Sequence, residues 1–388
     1  MDLNRILVVS LVLITGIFLT TAGSFAGKPE KPDKCSPWPE CKDDGGDPPP
    51  PPVESCADAS GIFPSFAYTT RINDGKRGSH SGTNVHLANS DGTCSIIIYT
   101  QNDRERLVPN YRQIGNHGRI VWSQSGLGNE VLGRRHPDGG KAVVQMLDFS
   151  LDNGALDGEA SLSTVYMYQG SNANGGGEPE LSSDGSVVFF GQHERLENGE
   201  EPASLYSIDL SNCTSLCSAD LIIPPGAGGQ ADIAINRNGQ RDRIYRTSSG
   251  GGFGITFIEA TDTGYSDLRT VVLPEELGTS KITKIAVGNW DYDMDGSAEE
   301  VIAIALNYIQ NTIYIIDVSD CAAADGSSQP TCLASGESTI LRTGIEGAKA
   351  SFIGEDLLVA NGDNVEFLDT DSETPTFLLQ GDSPDSAE

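Results

Sequence analysis

Residues Asp291–Glu300, which read DYDMDGSAEE, have the most definite chemistry in the sequence. Aspartates occupy the first, third and fifth positions of this run, and Gly296 follows at the sixth. Carboxylates at this spacing converge on one hard cation, glycine permits the sharp turn, and positions seven and nine supply further oxygens. The run predicts a structural Ca²⁺ ion that relieves carboxylate repulsion; the alternative is a solvated acidic turn. The predicted calcium ligands are Asp291, Asp293, Asp295, Ser297 and Glu299.

A second group of residues, which could bind an anionic ligand, lies in the least acidic part of the chain. Between Arg71 and Lys141 there are ten Lys or Arg against six Asp or Glu, whereas from Gln145 onward the counts are ten and forty. Arginine and histidine together suit a carboxylate or an anionic sugar. The alternative is that these residues are separate surface groups on different strands. The candidate ligand-binding residues are His117, Arg134, Arg135 and His136.

The sequence lacks the motifs of several common catalytic sites, namely G-x-S-x-G, H-E-x-x-H, the Walker loop and the Rossmann fingerprint. Its net charge of −30 repels phosphates, which disfavours nucleic acid as a partner. We therefore expect a non-catalytic binding or scaffold protein whose partner is an envelope or extracellular protein, or an anionic glycan. The alternatives are a lyase or hydrolase acting on an anionic polysaccharide, and a purely structural envelope component.

The N-terminus has the features of a secretory signal. Arg5 precedes an apolar run over residues 6–19, and Ser24 and Ala26 provide the small residues that precede a cleavage site. Residues 1–26 are therefore predicted to be a signal peptide, with an uncleaved membrane anchor as the alternative. No later apolar segment is long enough to span a bilayer, so we expect the mature chain to be periplasmic or secreted. Residues 27–55, which include five consecutive prolines, are predicted to be a semi-rigid linker.

Eight cysteines in an exported chain indicate disulfides. Sequence alone leaves the connectivity open, and proximity along the chain favours four short pairings. These are Cys35–Cys41, Cys56–Cys94, Cys213–Cys217 and Cys321–Cys332.

From residue 62 onward the chain repeats a short alternating strand followed by a polar turn. The copies recur at intervals of roughly 40–60 residues, which is typical of four-stranded blades arranged around an axis. The interval between the first and second copies is 80 residues, which leaves room for a seventh. The sequence predicts an all-β fold, a β-propeller of six antiparallel blades with seven as the alternative. The copies begin at Asn84, Thr164, Ser204, Gly254, Thr312 and Asn364.

A second element precedes several copies and is clearest at Pro179–Phe190, PELSSDGSVVFF. Its combination with a later I-Y-x-x-D strand resembles the TolB-type, WD-repeat-like β-propeller family of exported bacterial proteins. The resemblance covers residues 56–381, leaves 382–388 as an acidic tail, and implies a partner-binding protein without implying one activity. It also implies ring closure between terminal strands, with Phe63–Thr70 and Val365–Leu379 as the expected segments.

The acidic run resembles the calcium loops of integrin-type propeller repeats. Strands are predicted on both sides of it, at Ile282–Val287 and Val301–Leu306, where an EF-hand would have helices. Ile302 occupies position twelve, where an EF-hand requires glutamate. The resemblance places the loop between two adjacent strands of a blade.

Overall fold

The computed structural model of the protein divides into two units, Met1–Pro51 and Pro52–Glu388. All of the residues that the structure describes belong to the second unit. They are residues 56, 63–73, 80–102, 107–124, 142–168, 178–193, 203–213, 215–224, 232–236, 241–248, 254–277, 282–306, 312–319, 338–370, 372 and 374–386.

The described residues form twenty-six β-strands in six antiparallel sheets, which we call blades 1 to 6. Each blade is given below from its inner to its outer edge. Blade 1 contains β26 (Asp382–Ser386), β1 (Phe66–Asn73), β2 (His80–Ala88) and β3 (Ser95–Gln101). Blade 2 contains β4 (Asn110–Ile114), β5 (His117–Gln124), β6 (Val143–Asp152) and β8 (Ser161–Met167), with the short β7 (Ala155–Leu156) extending β6. Blade 3 contains β9 (Glu180–Leu181), β10 (Val187–His193), β11 (Ala203–Asp209) and β12 (Asp220–Ile223).

The remaining three blades follow the same pattern. Blade 4 contains β13 (Ile233–Asn236), β14 (Arg243–Ser248), β15 (Gly254–Thr261) and β17 (Arg269–Val271), with β16 (Gly264–Tyr265) extending β15. Blade 5 contains β18 (Ile282–Trp290), β19 (Glu299–Leu306), β20 (Thr312–Asp317) and β21 (Thr339–Glu346). Blade 6 contains β22 (Lys349–Ile353), β23 (Asp356–Asn361), β24 (Asn364–Leu368) and β25 (Thr376–Gln380).

The six inner strands form a closed ring, since β26, β4, β9, β13, β18 and β22 contact one another in that order and β22 returns to β26. The predicted six-bladed β-propeller is therefore confirmed. Seven blades are excluded, because the 80-residue interval contains the inner strands of blade 2. The copy at Thr164 lies in the outer strand β8, and the strand equivalent to the other five copies is β6.

Ring closure joins the two ends of the domain, but with a different C-terminal segment from the one expected. The segment Val365–Leu379 contributes β24 and β25 to blade 6, whereas β26 pairs with β1 at Phe66↔Ser386, Ala67↔Asp385 and Thr69↔Asp382. The propeller thus includes residues that the sequence assigned to an acidic tail. Their acidic composition gives no sign of a strand in the sequence. They form one because an inner propeller strand can be stabilised by backbone pairing.

Apolar residues form one buried cluster at each of the six interfaces between neighbouring blades, as far as the described residues extend. Trp122 is fully buried between blades 1 and 2, and Trp290 is 7% exposed between blades 5 and 6. Both tryptophans therefore pack between blades. Because alternate residues of each strand face opposite neighbours, every blade is stabilised from both sides.

Two of the predicted disulfides are present. Cys56–Cys94 and Cys213–Cys217 have Cα–Cα separations of 5.8 Å and 5.6 Å. Cys35, Cys41, Cys321 and Cys332 lie outside the described residues, as do the predicted signal peptide and the whole of the predicted linker. No helix long and apolar enough to cross a membrane occurs in the described part of the chain.

Candidate metal centre and channel

The predicted calcium loop connects β18 to β19, the first two strands of blade 5. This is the position that Ser182–Ser186 occupies in blade 3, where Gly185 has a positive φ of 66°. In the acidic loop the chain turns through Met294, φ 58°, and Gly296, φ 87°. Left-handed conformations at these two positions reverse the chain within a few residues, which lets side chains from both ends of the loop approach one another.

Three of the predicted ligands converge. Carboxylate oxygens of Asp291, Asp293 and Glu299 all lie within 4.8 Å of one another. Asp291 also accepts backbone hydrogen bonds from Asp295, at 3.0 Å on Oδ1, and from Gly296, at 2.9 Å on Oδ2. The loop is therefore shaped by its own carboxylates, and an oxygen-only group of this kind suits a hard divalent cation.

The other two predicted ligands participate in the turn itself. The N–H of Ser297 donates to Asp295 Oδ1 at 2.8 Å, and the N–H of Asp295 donates to Asp293 Oδ1 at 3.1 Å. Both side chains are exposed, and Asp295 is not part of the converging carboxylate group. The structure thus brings together the carboxylates at positions one, three and nine.

Glu299 has an oxygen that lacks a hydrogen-bond partner. Its Oε2 atom is buried without one. Desolvation raises the pKa of Glu299, and the negative charges of Asp293 and Asp295 add to this, although backbone donors oppose it. A bound cation would satisfy this oxygen and remove the repulsion, so the donor set fits a divalent ion.

Glu300 links the end of the loop to blade 4. Its buried carboxylate accepts hydrogen bonds from Asn236 Nδ2 and from Arg243 Nη1. Arg243 Nη2 also donates to Glu259 Oε1 at 2.6 Å, and its guanidinium lies 5.5 Å from the centre of the Phe257 ring. The strand that follows the candidate ion site is thus tied to the neighbouring blade.

Of the four candidate ligand-binding residues in the less acidic stretch, only His117 is among those described. It begins β5, is exposed, and its Nδ1 lies 2.9 Å from Ser150 Oγ. Arg134, Arg135 and His136 lie outside the described residues. The predicted anionic-ligand site therefore stays a prediction.

A network of four charged residues lies in the central channel and was missed by sequence reasoning. Lys284 Nζ contacts Glu178 Oε1 and lies 3.3 Å from Asp232 Oδ1, and Lys349 Nζ lies 3.1 Å from Glu178 Oε2. The four residues come from blades 3, 4, 5 and 6, each at or near the start of an inner strand. In the sequence, each member of the network is recognisable only as a charged residue near the start of a short apolar strand. That pattern is too common to predict a charge network.

The four side chains are largely buried from solvent, with exposed fractions between 7% and 21%. Burial alone would raise the pKa of Glu178, but Lys284 and Lys349 hold it at about 2. Burial raises the pKa of Asp232, and Lys284 only partly offsets this. The free volume here is about 50 Å³, which is room for a few water molecules.

Comparisons with known proteins identify no family for this chain. No family model matches the chain, and no curated protein matches it. The solved structures that match include the SapL1 lectin in complex with alpha methyl fucoside, at 11% identity and a TM-score of 0.43, covering 83% of this chain and 97% of the lectin. An oligogalacturonate lyase in complex with manganese matches at 10% identity and 0.39, covering 81% and 78%. A GH43_1 enzyme from Xanthomonas citri matches at 9% identity and 0.36, covering 67% and 81%.

These similarities are too distant to carry an inference about activity. The resemblance to the TolB-type family also stays a prediction, since no family model matches.

Proposed function

We propose that this protein is an exported, calcium-braced β-propeller that acts as a non-catalytic binding or scaffold protein in the periplasm or outside the cell. The observation that carries the proposal is the pairing of charges in the channel. Lys284 and Lys349 neutralise Glu178 and Asp232, and about 50 Å³ remains free. A reactive site needs room for substrate beside its charged groups, so binding is better supported on the outer surfaces of the ring.

In this proposal a calcium ion is held by Asp291, Asp293 and Glu299, with Asp295 and Ser297 completing the loop. The support is the convergence of three carboxylates within 4.8 Å and the buried Glu299 Oε2 that lacks a partner. The ion would brace the β18–β19 connection, and Glu300 would transmit that rigidity to blade 4 through Arg243. Its role is structural.

Export is supported by the disulfides Cys56–Cys94 and Cys213–Cys217, since such bonds persist in oxidising compartments. The domain organisation belongs to the same proposal: a signal peptide at 1–26, a linker at 27–55 and the propeller after it. The mature chain would present the propeller to an envelope or extracellular protein, with an anionic glycan as a second class of partner.

The deciding experiment is a cross-linking pulldown of the tagged mature chain from envelope and medium fractions, with Ca²⁺ and again with chelator. We expect a specific protein partner whose recovery falls in chelator. An Asp157→Ala variant, altered at an exposed turn of blade 2, is the matched control for Asp293→Ala. Failure to recover any protein in either condition contradicts the scaffold proposal.

One observation favours a second candidate, an enzyme acting on an anionic polysaccharide. Glu178 and Asp232 flank the same ammonium group, and their surroundings shift their pKa values in opposite directions. Opposite shifts are the arrangement in which one carboxyl is an acid and the other a base. Turnover of a uronate-containing polysaccharide that is abolished by Glu178→Gln and Asp232→Asn, but not by Asp157→Asn, would establish this alternative.

A further inference from the structure

A large groove lies between the outer strands of blades 3 and 4. It is bounded by β12 on one side and by the end of β16 and the segment leading to β17 on the other, and its volume is about 870 Å³. That is well within the size of pockets that accommodate ligands or several side chains. It is far larger than the cavity of about 50 Å³ beside the Glu178 network.

The floor of the groove is the outer margin of the apolar cluster between blades 3 and 4. Ile222, Tyr265 and Leu268 are only partly buried there, and Tyr265 packs edge-on against Phe189 at 6.0 Å between ring centres. Leu221, which also lines the groove, is 51% exposed. Apolar surface left open in this way gains free energy when another apolar side chain covers it.

The rim of the groove is negative. Asp209, Asp220 and Asp267 line it, and no lysine or arginine is among the described lining residues. The Asp209 carboxylate accepts hydrogen bonds from the Ser211 N–H and hydroxyl, which hold it in place. The three carboxylates therefore create a negative potential around an apolar floor, which suits a cationic and apolar occupant.

The groove also contains a sheet edge. Strand β12 is the outermost strand of blade 3 and pairs on one side with β11, in the register Leu205↔Ile223, Tyr206↔Leu221 and Ser207↔Asp220. All four residues of β12 line the groove, and its other side pairs with no other described strand. An extended peptide can add to such an edge through backbone hydrogen bonds while its side chains enter the adjoining pocket.

We propose that this groove is the docking site for an extended segment of a partner protein in which lysine or arginine residues alternate with apolar ones. The inference deepens the proposed binding function by naming one surface and the chemistry of its partner. The chain's own linker is a poor occupant, since residues 27–55 contain four lysines against seven Asp or Glu. A second copy is also disfavoured, because each copy carries a net charge of −30.

The test is a fluorescence anisotropy titration of a fluorescein-labelled, eight-residue peptide of alternating lysine and valine with the mature chain. A peptide with glutamate in place of lysine is the charge control. We expect saturable binding of the lysine peptide alone. The Asp220→Asn, Asp267→Asn double variant should weaken it roughly tenfold, since each exposed carboxylate contributes a modest electrostatic attraction.

Two further variants distinguish docking from general attraction to an acidic protein. Asp157→Asn with Glu159→Gln removes the same charge from an exposed turn of blade 2 and should leave the affinity unchanged. Leu221→Asp adds a negative charge but removes the apolar contact, so docking predicts weaker binding and bulk electrostatics predicts tighter binding. Absence of saturable binding, equal loss in both double variants, or tighter binding by Leu221→Asp would each overturn the proposal.

The peptide titration and the pulldown fail in distinguishable ways. A chain that captures a calcium-dependent partner but does not bind the lysine peptide overturns the groove and leaves the scaffold function standing. A chain that binds the peptide in the groove but recovers no partner contradicts the scaffold function in the fractions sampled and leaves the groove intact.

Discussion

Glu299 and Glu178 show how the same chemical group acquires different roles at the scale of the residue. Glu299 has a buried oxygen without a hydrogen-bond partner and two aspartates nearby, so its charge is unfavourable until a cation arrives. Glu178 is buried between two ammonium groups, so its charge is already compensated. The first arrangement is suited to binding an ion, and the second to joining blades across the channel.

Calcium should stabilise the protein through the loop. At a concentration a hundredfold above Kd, an ion that binds only the folded state adds about 2.7 kcal/mol, or roughly 4 °C in Tm for a domain of this size. Asp293→Ala should lose this shift, measured by calorimetry with Ca²⁺ and with chelator, while Asp157→Ala keeps it. An unchanged Tm in excess chelator for the unaltered chain would refute the calcium site.

The Glu178 network predicts a pH-dependent loss of stability. Folding lowers the pKa of Glu178 from 4.5 to about 2, so its contribution is present above pH 4.5 and is lost as pH falls toward 2. Glu178→Gln should therefore cost about 3 kcal/mol at pH 7 and about 1 kcal/mol at pH 3, measured by urea unfolding. Asp232, whose pKa is raised mainly by burial, contributes with the opposite sign in the unaltered chain.

The exposed Glu159 is the control for that comparison, and Glu159→Gln should change stability little at either pH. A difference between Glu178→Gln and the unaltered chain that stays constant from pH 7 to pH 3 would show that Glu178 does not titrate in this range. The pairing with Lys284 and Lys349 would then not be its main contribution.

At the scale of the element, the connections between strands carry the specialised chemistry, while the strands position them. The turn after β18 holds the candidate ion site, the turn after β11 contains Cys213–Cys217, and the turn before β3 is anchored by Cys94 to Cys56. The turn between β9 and β10 of blade 3 also contacts both neighbouring blades. Arg112 Nε of β4 donates to the Ser183 carbonyl, and the Ser183 N–H donates to Asp242 before β14.

The two described disulfides should differ in their effect on stability. Cys56–Cys94 closes a loop with a sequence separation of 38, and Cys213–Cys217 one of 4. By loop-closure entropy, replacing the first pair with serines should cost about 4 kcal/mol and replacing the second about 2 kcal/mol. Denaturant unfolding of the two double variants checks this, and equal losses would mean that chain entropy does not govern their contribution.

At the scale of the whole molecule, stability depends on closing the ring. Each blade buries apolar residues against both neighbours, and the cluster that joins blades 6 and 1 contains Phe66, Tyr68, Leu358 and Val365. Strand β26 supplies the inner edge of blade 1 from the C-terminal end of the chain. The two ends of the domain are therefore mutually dependent for folding.

Ending the chain at Gly381 should prevent cooperative folding, because it removes β26 and leaves β1 without its inner partner. Ending it at Ser386 removes only two residues and should leave the unfolding transition unchanged. Circular dichroism melts of the two truncated chains give the comparison. A native-like transition in the shorter chain would show that blade 1 closes the ring without β26.

The sequence by itself determined the all-β class, the blade repeat and the acidic loop whose carboxylates converge, because each depends on residues close together in the chain. It favoured the two short disulfide pairs by proximity and left their connectivity to the structure. Alternating apolar residues and Asp-Gly turns are local properties, and so is the spacing of Asp291, Asp293 and Glu299.

Only the tertiary structure decided the features that depend on residues far apart in the chain. It identified β26 as the closing strand, β6 as the true repeat of blade 2, and the network of Glu178, Asp232, Lys284 and Lys349. The physical reason is that ring closure and the charges around its axis depend on which inner strands become neighbours. Local patterns are equally compatible with several such arrangements, and the packing between blades selects one of them.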